Sequence, residues 1–207
     1  MTGPSSLPPV AGLLLAAGAG RRFGGPKALV QLDGEPLVLR ALRTLTAAGC
    51  APVRVVVGAS AEQVRALLPD PAQAVEAEDW ATGMGASLRA GLASLERTER
   101  TERTEGTGQP AAALVHLVDL PWVGADVIAR VTAHASAEAV ARAAYDGVPG
   151  HPVLLGRRWW GEIAGAARGD RGARDWLATR ADLTLVECGD LGSGRDVDRP
   201  ADLAGPA

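Results

Sequence analysis

The feature that most constrains this chain is an apolar run that opens into a glycine-rich, basic loop, "VAGLLLAAGAGRRFGGPKAL", residues 10–29. Val10 to Ala16 is short, uncharged and stopped by glycine, which suits a parallel strand buried on both faces. A parallel strand needs a crossover, and "PLVLRALRTLTAAG" supplies a helix. It places Leu37, Leu39, Leu42 and Leu45 near helical spacing and stops at Gly49. The alternation then continues. "APVRVVVGA" reads as a second buried strand, and "SAEQVRALLP" as a helix with Ser60 as N-cap and Gln63 completing a capping box. "ASLRAGLASLE" reads as another helix and "AAALVHLVDLP" as a third strand, ending at Asp119 and Pro121. From Tyr145 onward a strand is expected near "HPVLLG", then two helices around Trp159 and Trp176, a strand at "LTLVEC" and a polar tail. Strands alternating with helices predict a three-layer α/β/α fold with a mostly parallel sheet. No linker divides it, so residues 10–207 are expected to form one domain behind a disordered leader, residues 1–9.

Composition excludes several functions. Apolar residues make up 47% of the 207, but nowhere do about 18 run uncharged, so no membrane span is expected. The start "MTGPSSLPPV" has no basic segment and no long apolar centre, unlike a signal peptide. A net charge of −3 argues against a general nucleic-acid binder. Cys50 and Cys188 are the only cysteines, too few for a disulfide framework or a zinc cluster, and a reduced cytoplasmic setting fits best. The repeat "ERTERTERTE", residues 96–105, has no apolar face and reads as a solvated helix extension or a loop.

In open α/β sheets ligands sit beyond the carboxyl ends of strands, which is where the basic loop falls. Gly18, Gly20, Gly24 and Gly25 let backbone N–H groups approach an anion without Cβ atoms intervening. Arg22 and Lys27 can neutralise a triphosphate, Arg as a planar fork and Lys as a point charge. The pattern is neither a P-loop nor a dinucleotide fingerprint, since "GAGRRFG" is one residue too long for G-x-G-x-x-G. Asp119, at a strand end, is a hard oxygen ligand suited to Mg²⁺ on nucleotide phosphates, or else a cap for the next turn. In "DVDRPADL", Asp196 and Asp198 alternate with Val197 and face one way if the segment is extended. One of them can bind metal while the other caps a helix beginning near Pro200. "DWATGMGASLRAGL" puts Gly83 and Gly85 before a helix with Ser87 near its start, an arrangement that can hold an anion or a base edge. Trp80 and Met84 would pack beneath it.

The loop resembles the signature L-A-A-G-x-x-x-R-[MF]-G-x-x-K of the MobA-like nucleotidyltransferases, of nucleotide-diphospho-sugar transferase (Rossmann-like) fold. Leu15, Ala16, Ala17, Gly18, Arg22, Phe23, Gly24 and Lys27 fall in place. "WATGMGASLRAGL", "YDGVPGHPVLLGRRWW" with "GDRGAR", and "DVDRPADL" are similar to the molybdenum cofactor cytidylyltransferase branch. The resemblance implies Mg²⁺-dependent transfer of CMP from CTP to the phosphate of a molybdopterin-type cofactor, releasing pyrophosphate, with a molybdoenzyme as a possible recipient of the product. Leu15, Ala16, Ala17, Gly18, Gly20, Gly24, Lys27, Gly83 and Ser87 would then bind nucleotide, with Arg22 and Lys27 catalytic. Asp119 and one aspartate of the Asp196/Asp198 pair, with Asp198 preferred, would hold the metal. Tyr145, His151, Arg171 and Arg174 would bind the phosphorylated pterin acceptor, His151 without acting as a general base. Relatives usually have Gly-Asp-x-Pro where this chain has Val118 before the aspartate. Two other readings are a guanylyltransferase or related NTP transferase with another acceptor, and an NAD(P)-dependent oxidoreductase of the nicotine-blue type. The missing dinucleotide fingerprint counts against the latter.

Overall fold

The computed structural model describes residues 8–101 and 109–205. The chain runs β1 (Val10–Leu15), a small hairpin of β2 (Gln31–Leu32) and β3 (Glu35–Pro36), α1 (Leu37–Ala47), β4 (Val53–Val57), α2 (Ala61–Leu67) and β5 (Ala74–Glu76). Then follow α3 (Met84–Thr101), β6 (Ala112–Leu117), α4 (Ala125–Thr132), β7 (Val140–Tyr145), β8 (Val148–Gly156), α5 (Trp160–Ala166), α6 (Arg174–Ala178) and β9 (Thr184–Glu187). The main sheet has seven strands in the order β5-β4-β1-β6-β8-β7-β9. Among the described residues of this sheet, only β8 runs antiparallel to its neighbours, β6 and β7. Six parallel strands and one reversed strand make the mostly parallel sheet that the alternation predicts.

The pleat sends successive β1 side chains to opposite faces. Leu14 joins Leu37, Leu45, Leu114 and Ile128 under α1 and α4. Leu13 joins Leu92, Leu95, Leu155, Trp160 and Ile163 under α3 and α5. Both faces of the sheet are therefore covered, as a parallel sheet requires. Among the described residues no helix is long and apolar enough to cross a membrane. The charge repeat begins as an extension of α3, which reaches Thr101; residues 1–7 of the expected leader and 102–105 of the repeat lie outside the described residues.

Two local expectations are corrected. Ser60 does not cap α2: it lies in the left-handed region (φ 59°), and its side chain accepts no capping bond. The tight turn is responsible, for the Ala61 amide donates to the Gly58 carbonyl and holds Ser60 in that conformation. The strand expected at "HPVLLG" is the second half of a hairpin whose first half, β7, the periodicity did not reveal. Asp146 (φ 52°) and Gly147 (φ 76°) form its two-residue turn, and Asp-Gly is the dipeptide that such turns favour.

His116 on β6 is 1% exposed, and its Nδ1 has no hydrogen-bond partner among the described residues. Burial pushes its pKa down to about 4, so the imidazole is neutral in the fold and protonates at about 6.5 once unfolded. The stability this contributes is full above the unfolded value and is lost as pH falls toward the folded one. Between pH 7 and pH 5 His116 should cost about 2 kcal/mol. Urea midpoints at the two pH values measure it, and His116→Leu should remove the His116 share of the dependence while leaving that of His151, whose pKa burial also pushes down. An equally steep fall in that variant would assign the acid sensitivity elsewhere.

The site follows from the topology. From β1 the chain moves outward through β4 to β5, then returns to place β6 on the other side of β1. The connection reverses between β1 and β6, and beyond their carboxyl ends such a sheet opens a crevice.

Candidate active site

A pocket of about 500 Å³ fills that crevice, lined by the loop after β1, the start of α3, and the segment after β6. The loop is folded around one carbonyl. Gly20 O accepts from the amides of Phe23, Gly24 and Gly25 at 2.9, 3.0 and 3.2 Å, which leaves the amides of Gly18 to Arg22 outside that turn. Gly20 adopts φ +57°, and a Cβ there would overlap the Gly25 carbonyl, whereas one at Gly18 would meet nothing within 4 Å. Gly20 is thus required by the loop itself, and Gly18 borders open pocket. Gly20→Ala should open the turn, costing about 1–2 kcal/mol of stability and at least roughly tenfold in nucleotide affinity. Calorimetry on the folded variant checks this; wild-type affinity would mean that the turn is irrelevant to binding.

Three carboxylates converge beside the pocket, Asp119 and Asp198 in its lining and Asp196 in that of its neighbour. Val197 is fully buried, and its amide donates to the Asp119 carbonyl at 2.9 Å. The C-terminal segment is thereby docked on the end of β6, with Asp196 and Asp198 flanking the buried valine. One ligand oxygen from each of Asp119, Asp196 and Asp198 lies within 4.8 Å of the others, so the group could hold a metal ion. Lys27 reaches the same place from the glycine loop. Its Nζ donates to Asp119 Oδ2 at 2.8 Å and to Asp198 Oδ1 at 2.6 Å, and Arg22 adds a bond to Asp198 Oδ2 at 3.1 Å. Burial alone would lower the Lys27 pKa, but the hydrogen bonds and charges of Asp119 and Asp198 outweigh it and leave it raised. The hydrogen bond from Lys27 holds Asp198 below the usual carboxylate range.

A second pocket, about 450 Å³, adjoins the first. Leu15, Met84, Leu117, Asp119 and Asp170 line both. Beyond that boundary the second pocket is walled by β7, β8 and α6, with Arg142, His151, Arg171 and Arg174 among its polar groups.

The residues singled out in the sequence divide by place. Leu15, Ala17, Gly18, Gly20, Arg22, Lys27, Gly83, Ser87, Asp119 and Asp198 line the first pocket. Asp196, His151, Arg171 and Arg174 line the second. Ala16 is 1% exposed within the core under α1 and α4, and Gly24 lines neither pocket. Tyr145 also lines neither. Its hydroxyl donates to the His151 carbonyl at 2.8 Å, and Cβ atoms at Gly150 and Gly194 would run into its ring. Gly83 and Gly85 have a packing role besides, since Cβ atoms there would collide with the backbone of residues 167–169 and, at Gly83, with the Asp170 carboxylate. Val118 is buried in the core under α1 and α4 while also bordering the first pocket.

Comparison with known proteins matches residues 12–184 to the MobA-like NTP transferase domain. The chain belongs to that family. A nicotine blue oxidoreductase of Paenarthrobacter nicotinovorans is 36% identical, with 95% of each chain covered. Among solved structures, the Mycobacterium sp. strain JC1 homologue of Mycobacterium tuberculosis Rv0371c superposes with a TM-score of 0.75 at 26% identity, covering 94% of this chain and 95% of that one. A complex of M. tuberculosis Rv0371c with manganese gives a TM-score of 0.66 at 23% identity, covering 86% and 88%. These likenesses place the mostly parallel seven-stranded sheet in the nucleotidyltransferase Rossmann-like fold.

Two contributors escaped the sequence reading. Neither Asp196 nor Asp198 caps the C-terminal turn of helix at Pro200–Ala204; Asp202 does. Its Oδ2 accepts from the amides of Asp198 and Arg199 at 3.0 and 2.8 Å, which fixes the backbone that carries Asp198. The signal was present, for Asp202 stands at the third position of a helix with proline at its first. Arg142 is the other, on a strand that was not foreseen.

Proposed function

We propose that this chain transfers CMP from CTP to the terminal phosphate of a molybdopterin-type cofactor, releasing pyrophosphate. One observation carries the reading. Lys27, Arg22 and the carboxylates of Asp119 and Asp198 meet at the mouth of a glycine loop, on the boundary with a second pocket. A hydride-transfer site has no evident use for such a cluster. The Gly18–Arg22 amides face the nucleotide phosphates, and Lys27 and Arg22 neutralise charge that grows on the leaving pyrophosphate. Oxygen donors from Asp119 and Asp198 suit a hard divalent cation, Mg²⁺ by preference. When bound there, it supplies neutralising charge beside the reacting phosphate. The acceptor enters from the second pocket. Its phosphate is already ionised and attacks in line, so positioning and charge neutralisation can accomplish the transfer without a general base.

The identity to a nicotine blue oxidoreductase favours a second reading, reduction of a planar dye-like substrate with NAD(P)H. Melting temperatures with CTP, GTP, ATP, UTP and NAD(P)H, each with and without Mg²⁺, separate the two through ligand linkage. CTP should stabilise most, and more with Mg²⁺; pyrophosphate release with the pterin acceptor then tests the reaction. Stabilisation by NAD(P)H alone would replace this proposal with the second.

A further inference from the structure

The charges lining the second pocket are sorted by position. Each of its carboxylates belongs to the boundary: Asp119 and Asp170 also line the first pocket, and Asp196 is part of the Asp119–Asp198 cluster. Its guanidiniums, Arg142, Arg171 and Arg174, line the second pocket only. Arg171 is committed elsewhere, to Asp175 at 2.9 Å, with its side chain 69% exposed. Arg142 and Arg174 make no ion pair among the described residues.

Arg142 is the unusual one. It occupies β7, whose register with β8 breaks between Arg142 and Ala144. Bulges of this kind re-aim side chains beside functional sites. Here the Gly150 carbonyl lies outside the paired positions and accepts from Arg142 Nε at 3.0 Å and Nη2 at 2.9 Å. One edge of the guanidinium is thus pinned to the backbone. A guanidinium has five N–H donors, so the other edge, Nη1 and the second Nη2 proton, retains a fork that matches two oxygens of one anion. Burial disfavours the cation, and the charge of Arg174 disfavours it further. An anion between them would relieve both penalties.

We infer that the second pocket is an oxyanion receptor, in which the pinned Arg142 fork and Arg174 grip a phosphate group of the acceptor. Naming the acceptor as the owner of that phosphate rests on the transferase reading; the receptor itself does not. Arg171 then belongs to the rim, and Arg142 is the residue that selects phosphorylated over uncharged acceptors.

The test is site-resolved. In ¹⁵N-arginine-labelled protein, the Nε–H resonances of Arg142, Arg174, Arg22 and the exposed Arg158 are assigned by single variants. Inorganic phosphate is then titrated at constant ionic strength. Arg142 and Arg174 should move together along one saturating curve, while Arg158 drifts linearly. Arg142→Met should raise the midpoint read at Arg174 about tenfold, and Arg142→Lys should not restore it, because a point charge lacks the fork. Should Arg142→Met fail to fold, Arg174→Ala, at an exposed position, should raise the midpoint read at Arg142 about threefold. An Arg142 signal that stays still, or drifts as Arg158 does, overturns the receptor. CTP titrated against Arg22 examines the transferase reading separately. Saturation by phosphate at Arg142 with no response to nucleotide at Arg22 would keep the receptor and sink that reading; the reverse would sink the receptor alone.

Discussion

Asp119→Asn should abolish nucleotidyl transfer, lowering kcat by at least about a hundredfold, while the protein still folds and still binds nucleotide when Mg²⁺ is absent. The substitution keeps shape and one oxygen acceptor but removes the charge. Among the described residues the Asp119 carboxylate accepts from Lys27 alone, at 2.8 Å, and from no backbone amide. It caps no turn, so the structural reading of a strand-end aspartate is not realised here. Loss of one charged partner from a partly exposed pair should cost no more than about 1 kcal/mol of stability. Pyrophosphate release measures the first effect, and calorimetry with CTP in EDTA measures nucleotide affinity. Affinity in EDTA should be equal or higher than in the wild type, because a carboxylate near the triphosphate has been neutralised. Full turnover in Asp119→Asn would remove the carboxylate cluster from the mechanism.

Sequence reasoning reached the parts of the molecule where local chemistry and global fold agree. Val10–Leu15 and Ala112–Leu117 are buried over nearly their whole length, so continuous apolar runs revealed them. The glycine loop was legible because its requirements are local: Gly20 with positive φ, and basic side chains behind a strand end. The meeting of Asp119 with Asp198 was expected from resemblance, but the means was not. It depends on Val197, which anchors the segment to the end of β6, and on Asp202, which holds its backbone. Neither is a chemical motif. β7 was missed because "VARAAY" mixes small residues with a single arginine, and its alternation is too weak to read. The arginine that weakens the strand pattern is the one that the structure turns into the second pocket. Ser60 failed as a cap for a different reason: the turn closed from the Ala61 amide to the Gly58 carbonyl holds it in the left-handed region, which no local sequence signal announces.

Replacing Lys27 should have opposite effects on metal binding and on turnover. From the sequence, Lys27 belongs to the basic loop behind β1 and is one of the residues expected to neutralise a triphosphate. In the structure its side chain is only 15% exposed, held between Asp119 and Asp198, which are 21% and 38% exposed. Lys27→Met therefore strips the shared cation from two neighbouring carboxylates. A fully buried pair broken in this way costs about 3–5 kcal/mol; with solvent reaching Asp198, about 1–2 kcal/mol is expected here. The same repulsion favours a divalent cation in its place. Wild-type protein must give up two short hydrogen bonds before Asp119 and Asp198 can serve as ligands, and the variant need not. Without nucleotide, Lys27→Met should bind Mn²⁺ about tenfold more tightly than wild type, and the added ion should recover most of the lost melting temperature. Turnover should move the other way, with kcat/KM lower by at least roughly tenfold, about 1.4 kcal/mol, because the charge that neutralises the leaving pyrophosphate is gone. Calorimetry with Mn²⁺, thermal melts and steady-state kinetics on the one variant give all three numbers. If metal affinity and turnover fell together, Lys27 would be supporting the carboxylates rather than competing for them. If neither changed, the ion pair would lie outside the site.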